Sequence, residues 1–499
     1  MKVGRSSGIL MHPSSLPGGK GIGTIGAPSR EFIDFLSEAG QSFWQVLPLG
    51  PTGYGDSPYQ CFSSLAGNPY LIDLIDLQSR GWLDMNSVQD LPGTSERVEF
   101  GSLIPWKMHC LRQAWEGFRR MSGPDEKQSF ERFRRSEMDW LDDYTLFMSL
   151  KSRFELRPWY DWPDGYRLRE PGAILSARLS EQDEMSFHAF LQFAFFLQWE
   201  SIRQYAREKG VRLIGDIPLY VARDSADAWA NPEVFLFDAS MMPTEVAGVP
   251  PDYFSATGQL WGNPVFNWPY LEHTGFAWWV KRIRHNLKLA DLIRIDHFRG
   301  LDEYWAVPYG EPTAVNGQWK PAAGRAMLEA VRAELGEVPL IAEDLGDISP
   351  EVYARRDDFG LPGMVVMQFA FDGNRSNVHI PYMHRPNSIV YTGTHDNDTL
   401  KGWLYGRSLD THKHLRDYFG AGSDVLLEPI LRATLASTAQ LCIIPMQDWL
   451  GLDNVARMNT PGTLDGNWNW RCRPGVLDES LAERIRRLTE VYGRHRPIG

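Results

Sequence analysis

Four cysteines in 499 residues are too few and too scattered for a disulfide framework. Cys61, Cys110, Cys442 and Cys472 form no C-x-x-C pair and have no histidine at finger spacing, so the pattern predicts reduced thiols, no metal and no other bound cofactor. Positive charge is short as well. With 51 Lys and Arg against 63 Asp and Glu, the net charge of −12 argues against a nucleic-acid partner, because phosphate binding needs a basic face. Long hydrophobic runs are missing: the most apolar stretch, Phe190–Trp199, is too short to cross a bilayer and carries Gln192 and Gln198. Residues Met1–Gly8 lack a basic segment leading into an apolar one. The expectation is a cytoplasmic protein with no membrane partner; oligomeric state leaves no readable mark.

A glycine-rich phosphate turn is also absent. Ser14–Gly26 holds five glycines, but they follow a His-Pro-Ser-Ser loop and do not open a helix in G-x-G-x-x-G spacing. This weighs against an open doubly wound sheet, the main competitor at the level of fold.

What the chain has in abundance is aromatic: 19 Trp, 18 Tyr and 25 Phe. Such rings pack against the C–H faces of sugars, or simply fill a core, and composition leaves both readings open. Short apolar runs separated by amphipathic stretches give more. Gly8–Met11, Phe43–Leu49, Val211–Asp216, Leu292–Asp296, Pro339–Glu343, Met364–Phe369, Ser388–Thr392 and Gln440–Met446 read as eight strands. Helices are predicted from Ser29 (as N-cap) to Gly40, over Phe187–Lys209, Phe276–Leu289 and Arg325–Leu335, from Ser349-Pro350, and over Leu481–Tyr492. The pattern predicts one α/β domain over residues 1–499, a (β/α)8 TIM barrel with large insertions. Residues 50–185 break the rhythm and read as a subdomain inserted after strand two; residues 222–268, rich in Pro, Gly and aromatics, read as an inserted loop region after strand three. The charged segment Arg112–Arg135 reads as a solvated helix face.

A barrel gathers its chemistry at the C-terminal ends of its strands. Strand three ends at Asp216, four at Asp296 and five at Glu343, and His395-Asp396 lies just past strand seven. One acid there is an ordinary cap; four at equivalent positions would repel one another and need a use. Arg294, two residues before Asp296, leaves the strand on the same face, where its cation lowers the pKa of a nucleophilic carboxylate and disfavours a metal. Retaining glycoside cleavage uses two carboxyl groups roughly 5–5.5 Å apart, one ionised and one protonated. An ionised Asp296 would raise the pKa of Glu343 and ready it as the acid, while Asp396 could grip sugar hydroxyls in the transition state. Tyr54 and Tyr59 after strand two, and Trp261 in the loop Gly258–Gly262, stand where a polymeric sugar would stack.

At these residues the chain resembles the 4-α-glucanotransferases of glycoside hydrolase family 77, within the α-amylase superfamily. The resemblance rests on Gly50–Tyr59 (GPTGYGDSPY), Gly215–Val221 (GDIPLYV), Pro250–Pro264 (PPDYFSATGQLWGNP), Arg294–Gly300 (RIDHFRG), Ala342–Gly346 (AEDLG) and Thr394–Asp398 (THDND), in the family's order. It implies Asp296 as nucleophile, Glu343 as general acid/base and Asp396 as transition-state stabiliser. It further implies sugar contacts from Asp216, Arg294 and His395, ring stacking by Tyr59 and Trp261, nearby contacts from Ser57 and Gln259, further contacts from Asp372 and Asn467, and a secondary groove at Tyr54. The substrates implied are α-1,4-glucans and maltooligosaccharides, with glucose as an acceptor. The third-strand motif carries Leu219-Tyr-Val where many α-amylases have a histidine, which fits this family. A plain α-glucan hydrolase remains the alternative. A metal-dependent sugar isomerase, suggested by His12, His297 and His395, would lose activity to a chelator, and a non-catalytic glucan-binding protein would tolerate Glu343→Gln.

Overall fold

The computed structural model describes residues 4–84, 86, 96–251, 255–420 and 426–495. Within them lie twelve strands: β1 (Ser6–Leu10), β2 (Phe43–Gln45), β3 (Arg212–Ile217), β4 (Glu245–Val249), β5 (Gln259–Pro264), β6 (Leu292–Ile295), β7 (Glu303–Pro308), β8 (Gln318–Pro321), β9 (Leu340–Ala342), β10 (Gly363–Val366), β11 (Ser388–Tyr391) and β12 (Leu441–Pro445). Eight of them, one at each predicted position, form a parallel sheet in the order β10-β11-β12-β1-β2-β3-β6-β9. Its two ends meet where the Ala342 N–H donates to the Pro362 carbonyl at 3.0 Å, bringing the sheet round into a barrel. Every residue of β1, β6, β9, β10, β11 and β12 is buried, as expected of parallel strands covered on both faces.

The helices lie between the barrel strands. Ala27–Glu38 joins β1 to β2 and turns Phe32, Ile33, Phe35 and Leu36 inward. Its start differs from the sequence reading: Gly26 is the cap and Pro28 sits in the first turn, while the Ser29 hydroxyl bonds back to the Thr24 carbonyl at 2.8 Å. Glu479–Val491 begins where the Asp478 carboxylate accepts the Leu481 N–H at 2.8 Å, and it buries Ala482, Ile485 and Leu488 at helical spacing. Trp44, fully buried on β2, shows how tightly barrel and helices interlock: its Nε1 donates to the Met11 carbonyl at 2.7 Å, and its ring meets Phe32 edge-on at 5.2 Å.

Between β2 and β3 the chain forms helices Phe100–Met121, Pro124–Ser136, Met138–Arg153 and Gln182–Glu208. Here the solvated reading of Arg112–Arg135 holds for one face only, and the other is buried. Ala114, Trp115, Phe118 and Phe130 are buried, packed ring against ring with Phe190 and Phe193 of the long helix. Arg119, Arg120, Arg132 and Arg135 lie exposed on the outer face of two helices, whereas Arg112 turns onto the Phe187 ring and pairs with Glu184 of the long helix.

A second sheet, antiparallel and in the order β5-β4-β7-β8, was not foreseen. Two of its strands come from the 222–268 insertion and two from the segment after β6. These strands are short and interrupted by Gly248, Gly262 and Pro264, with β4 mostly buried and β5 and β8 half exposed, so they carry no clean alternation. Because β4 follows β3 and β7 follows β6, the sheet stands over the ends of the two strands that deliver Asp216 and Asp296.

Candidate active site

Neighbouring parallel strands in register bring the strand-end acids together. Asp216 pairs with Arg294 across β3 and β6, and Ile295 pairs with Ala342 across β6 and β9, so Glu343 emerges beside Asp296. Arg294 spans two of the acids. One guanidinium nitrogen donates to Asp216 Oδ2 and the other to Asp296 Oδ1, each at 2.6 Å. The three groups differ in exposure: the Asp216 side chain is fully enclosed and Arg294 is 5% exposed, whereas the Asp296 side chain keeps 28% of its surface open. Burial pushes the Asp216 carboxyl up against the pull of Arg294, and the two carboxylates hold the guanidinium's pKa well above its ordinary value against its own burial.

Glu343 is held by main-chain donors. His297 N–H reaches Oε2 at 2.6 Å and Leu345 N–H reaches Oε1 at 3.1 Å. Its carboxyl is nevertheless pushed up to about 8, chiefly by burial, with Arg294 opposing the rise and the charge of Asp296 adding to it. The charge of Asp296 was the cause expected from sequence; enclosure proves the larger one. A carboxyl in this state holds its proton at neutral pH, as a general acid must.

Past β11, His395 and Asp396 complete the ring. The His395 imidazole stacks on Tyr59 at 4.9 Å between centroids, and its Nε2 lies 3.4 Å from Asp396 Oδ1. The Tyr59 hydroxyl donates to Asp216 Oδ2 at 2.6 Å, and burial beside that acid raises its pKa. Ser57 Oγ accepts the Tyr59 N–H at 3.2 Å. Trp261 and Gln259 lie on β5 and not in a loop as read from sequence; the indole N–H donates to Gln259 Oε1 at 3.2 Å. The Trp261 ring meets His297 edge to face at 4.8 Å. Asp252, Tyr253 and Phe254, part of the same sequence block, lie outside the described residues.

Three candidates bond within their own loops or lie exposed. Asp372 is exposed and accepts the N–H of Asn374 in its own turn at 2.8 Å. Asn467 folds its loop by accepting from Thr460 N–H and donating to the Thr463 carbonyl. Tyr54 is 73% exposed.

Trp468 and Asn459 had no signal in the sequence, and His297 and His12 entered only as support for the isomerase alternative. The His297 φ of 51° turns the main chain so that its N–H meets Glu343. Trp468, also left-handed at φ 62°, sets its ring 5.7 Å from Tyr59 and 5.8 Å from His395. Asn459 donates to Asp396 Oδ1 at 2.6 Å. His12 is buried in a small cavity shared with Thr394, His395 and Asp398, and burial pushes its pKa down to about 3. Among the described residues no group of three His, Cys, Asp or Glu side chains is arranged to hold a metal ion, and no helix is long and apolar enough to cross a membrane.

Fold and site together define an enzyme of the barrel glycoside hydrolase class. The glycoside hydrolase 77 model, described as 4-alpha-glucanotransferase, matches residues 11–477. A 4-alpha-glucanotransferase of Thermus thermophilus is 46% identical over 503 residues, covering 99% of this chain and 100% of the relative. One from Synechocystis is 47% identical over 499 residues, covering 98% of each. Among solved structures, the amylomaltase of Streptococcus agalactiae in complex with acarbose superposes with a TM-score of 0.96 at 36% identity, over 99% of this chain and 100% of that one. The chain belongs to glycoside hydrolase family 77, the 4-α-glucanotransferases.

Proposed function

We propose that the enzyme transfers a segment of an α-1,4-glucan to the 4-hydroxyl of glucose or another maltooligosaccharide by two displacements at one anomeric carbon. In the first, an Asp296 oxygen attacks C1 while the Glu343 carboxyl gives its proton to the departing O4, leaving a covalent glycosyl ester and a freed glucan end. In the second, Glu343, now ionised, takes the proton of an incoming 4-hydroxyl as that oxygen attacks C1 and expels Asp296. Asp396 stabilises the flattened ring, with its developing positive charge, in the transition state of each step. The observation that carries this reading is the contrast between neighbours: Asp296 is paired to the Arg294 cation at 2.6 Å, while Glu343 is held by main-chain donors and desolvation lifts its carboxyl to about 8.

Asp216, Arg294 and His395 are proposed to bind the sugar at the cleavage point, with Tyr59 and Trp261 stacking on rings and Ser57 and Gln259 nearby. Asp372 and Asn467 are proposed to contact rings further along, and Tyr54 a separate glucan groove. Residues 50–185 are proposed as a subdomain set beside the barrel, with 222–268 forming an insertion at its active face. A cytoplasmic location is supported by four free cysteines.

Maltotriose tests the activity directly. Transfer yields glucose together with longer maltooligosaccharides and leaves the number of reducing ends nearly constant. Reducing ends that rise with every bond cut would instead identify a hydrolase.

A further inference from the structure

Asp396 is gripped from outside the set of acids. Asn459 Nδ2 donates to Asp396 Oδ1 at 2.6 Å, and the Asn459 main-chain N–H donates to the His395 carbonyl at 3.1 Å. Arg457, two residues earlier, holds the same junction from three directions. Its Nη2 donates to the Asp396 carbonyl at 2.5 Å, its Nη1 to Asp398 Oδ1 at 2.5 Å, and its Nε to the Asn459 carbonyl at 2.7 Å. These residues follow β12, whereas Asp396 follows β11, so the grip crosses between neighbouring barrel loops.

We propose that Asn459 is a positioning residue for the reaction: it occupies Asp396 Oδ1 with a neutral donor and thereby turns the other carboxylate oxygen toward the reacting sugar, with Arg457 fixing the backbone of both. The physical case lies in the kind of donor. The Asp396 side chain is 44% exposed, and its Oδ1, which also has His395 Nε2 at 3.4 Å, makes its short bond to Asn459. A neutral amide fixes the rotamer and leaves the negative charge whole for a developing oxocarbenium ion; a guanidinium in the same place would neutralise it. Arg457 accordingly spends its charge on Asp398 and on main-chain carbonyls. The inference rests on the reading of Asp396 as transition-state stabiliser.

The test compares kcat and KM on maltotriose for Asn459→Ala, Asn459→Asp and Asp396→Asn. Asn459→Ala is expected to lower kcat on the order of 100-fold while KM stays within about threefold, because a group acting only in the transition state is left misaligned. Asn459→Asp fills the same space but faces Asp396 with a like charge, and it is expected to lose more kcat than Asn459→Ala. A packing role predicts the reverse order, with the isosteric variant the milder, and that result would overturn the proposal. So would a loss confined to KM, or Asn459 variants of normal kcat beside an inactive Asp396→Asn. If Asp396→Asn itself keeps full kcat, the role assigned to Asp396 fails, and the proposal falls with it for that separately visible reason.

Discussion

The main-chain N–H of His297 and the carboxylate of Glu343 are joined by a 2.6 Å hydrogen bond, made one residue beyond Asp296. This ties the position of the acid to the strand that carries its partner acid, so the two move as one unit. It also pulls the Glu343 pKa down, against a burial that lifts it to about 8. In the proposed mechanism the first displacement needs the proton on Glu343. The plot of kcat/KM against pH for maltotriose is therefore expected to hold up to about 8 and then fall, since that ratio reports groups of the free enzyme. A basic limb already falling below about pH 6 would remove Glu343 from the role of acid.

Glu343→Gln separates catalysis from stability. The folded pKa is raised above the ordinary 4.5, so the native state holds this proton more tightly than the unfolded chain. The contribution is fully present below 4.5 and is lost as pH climbs through about 8. An amide cannot ionise and carries no such loss. The variant is expected to lose about 10²–10⁴-fold in kcat, yet to melt higher than the parent at pH 8.5 and close to it at pH 5, read by calorimetry. Equal melting differences at both pH values would contradict the buried, proton-holding state.

Arg294 bridges two acids that differ sharply in enclosure. Arg294→Ala leaves Asp216, fully buried, without its cation, and is expected to cost about 3–5 kcal/mol of stability in urea unfolding. Arg294→Lys keeps one positive charge but cannot reach Asp216 and Asp296 together as a planar fork does. It is expected to remain more stable than the alanine variant while losing on the order of 100-fold in kcat. Full activity in the lysine variant would show that charge suffices and the fork does not matter.

Trp261 is proposed to bear on the choice between acceptor and water. Its ring stands against His297, next to the residues that deliver Asp296 and Glu343, and on the strand that edges the second sheet. A sugar stacked there would shield the glycosyl ester from water. Trp261→Ala is expected to raise the share of hydrolysis severalfold, measured as new reducing ends per glucose released from maltotriose. An unchanged share places the discrimination elsewhere.

The sequence by itself determined the barrel and the identity of its strand-end acids. Both follow from local pattern: eight apolar runs spaced by helices, and Asp216, Asp296 and Glu343 each closing one of those runs. A strand that ends in an acid does so in any fold, and a barrel has only one face on which such ends meet. Only the tertiary structure decided which side chain holds which acid. Arg294 was legible beside Asp296 because the two are alternate residues of one strand, but its second bond, to Asp216, crosses to another strand 78 residues away. The grip of Asn459 on Asp396 spans 63 residues and follows no period. The second sheet was hidden for the same reason. Glu245–Val249 gains its place from Glu303–Pro308, far along the chain, and Gln318–Pro321, paired with its neighbour in sequence, is four residues with too little burial pattern to announce a strand.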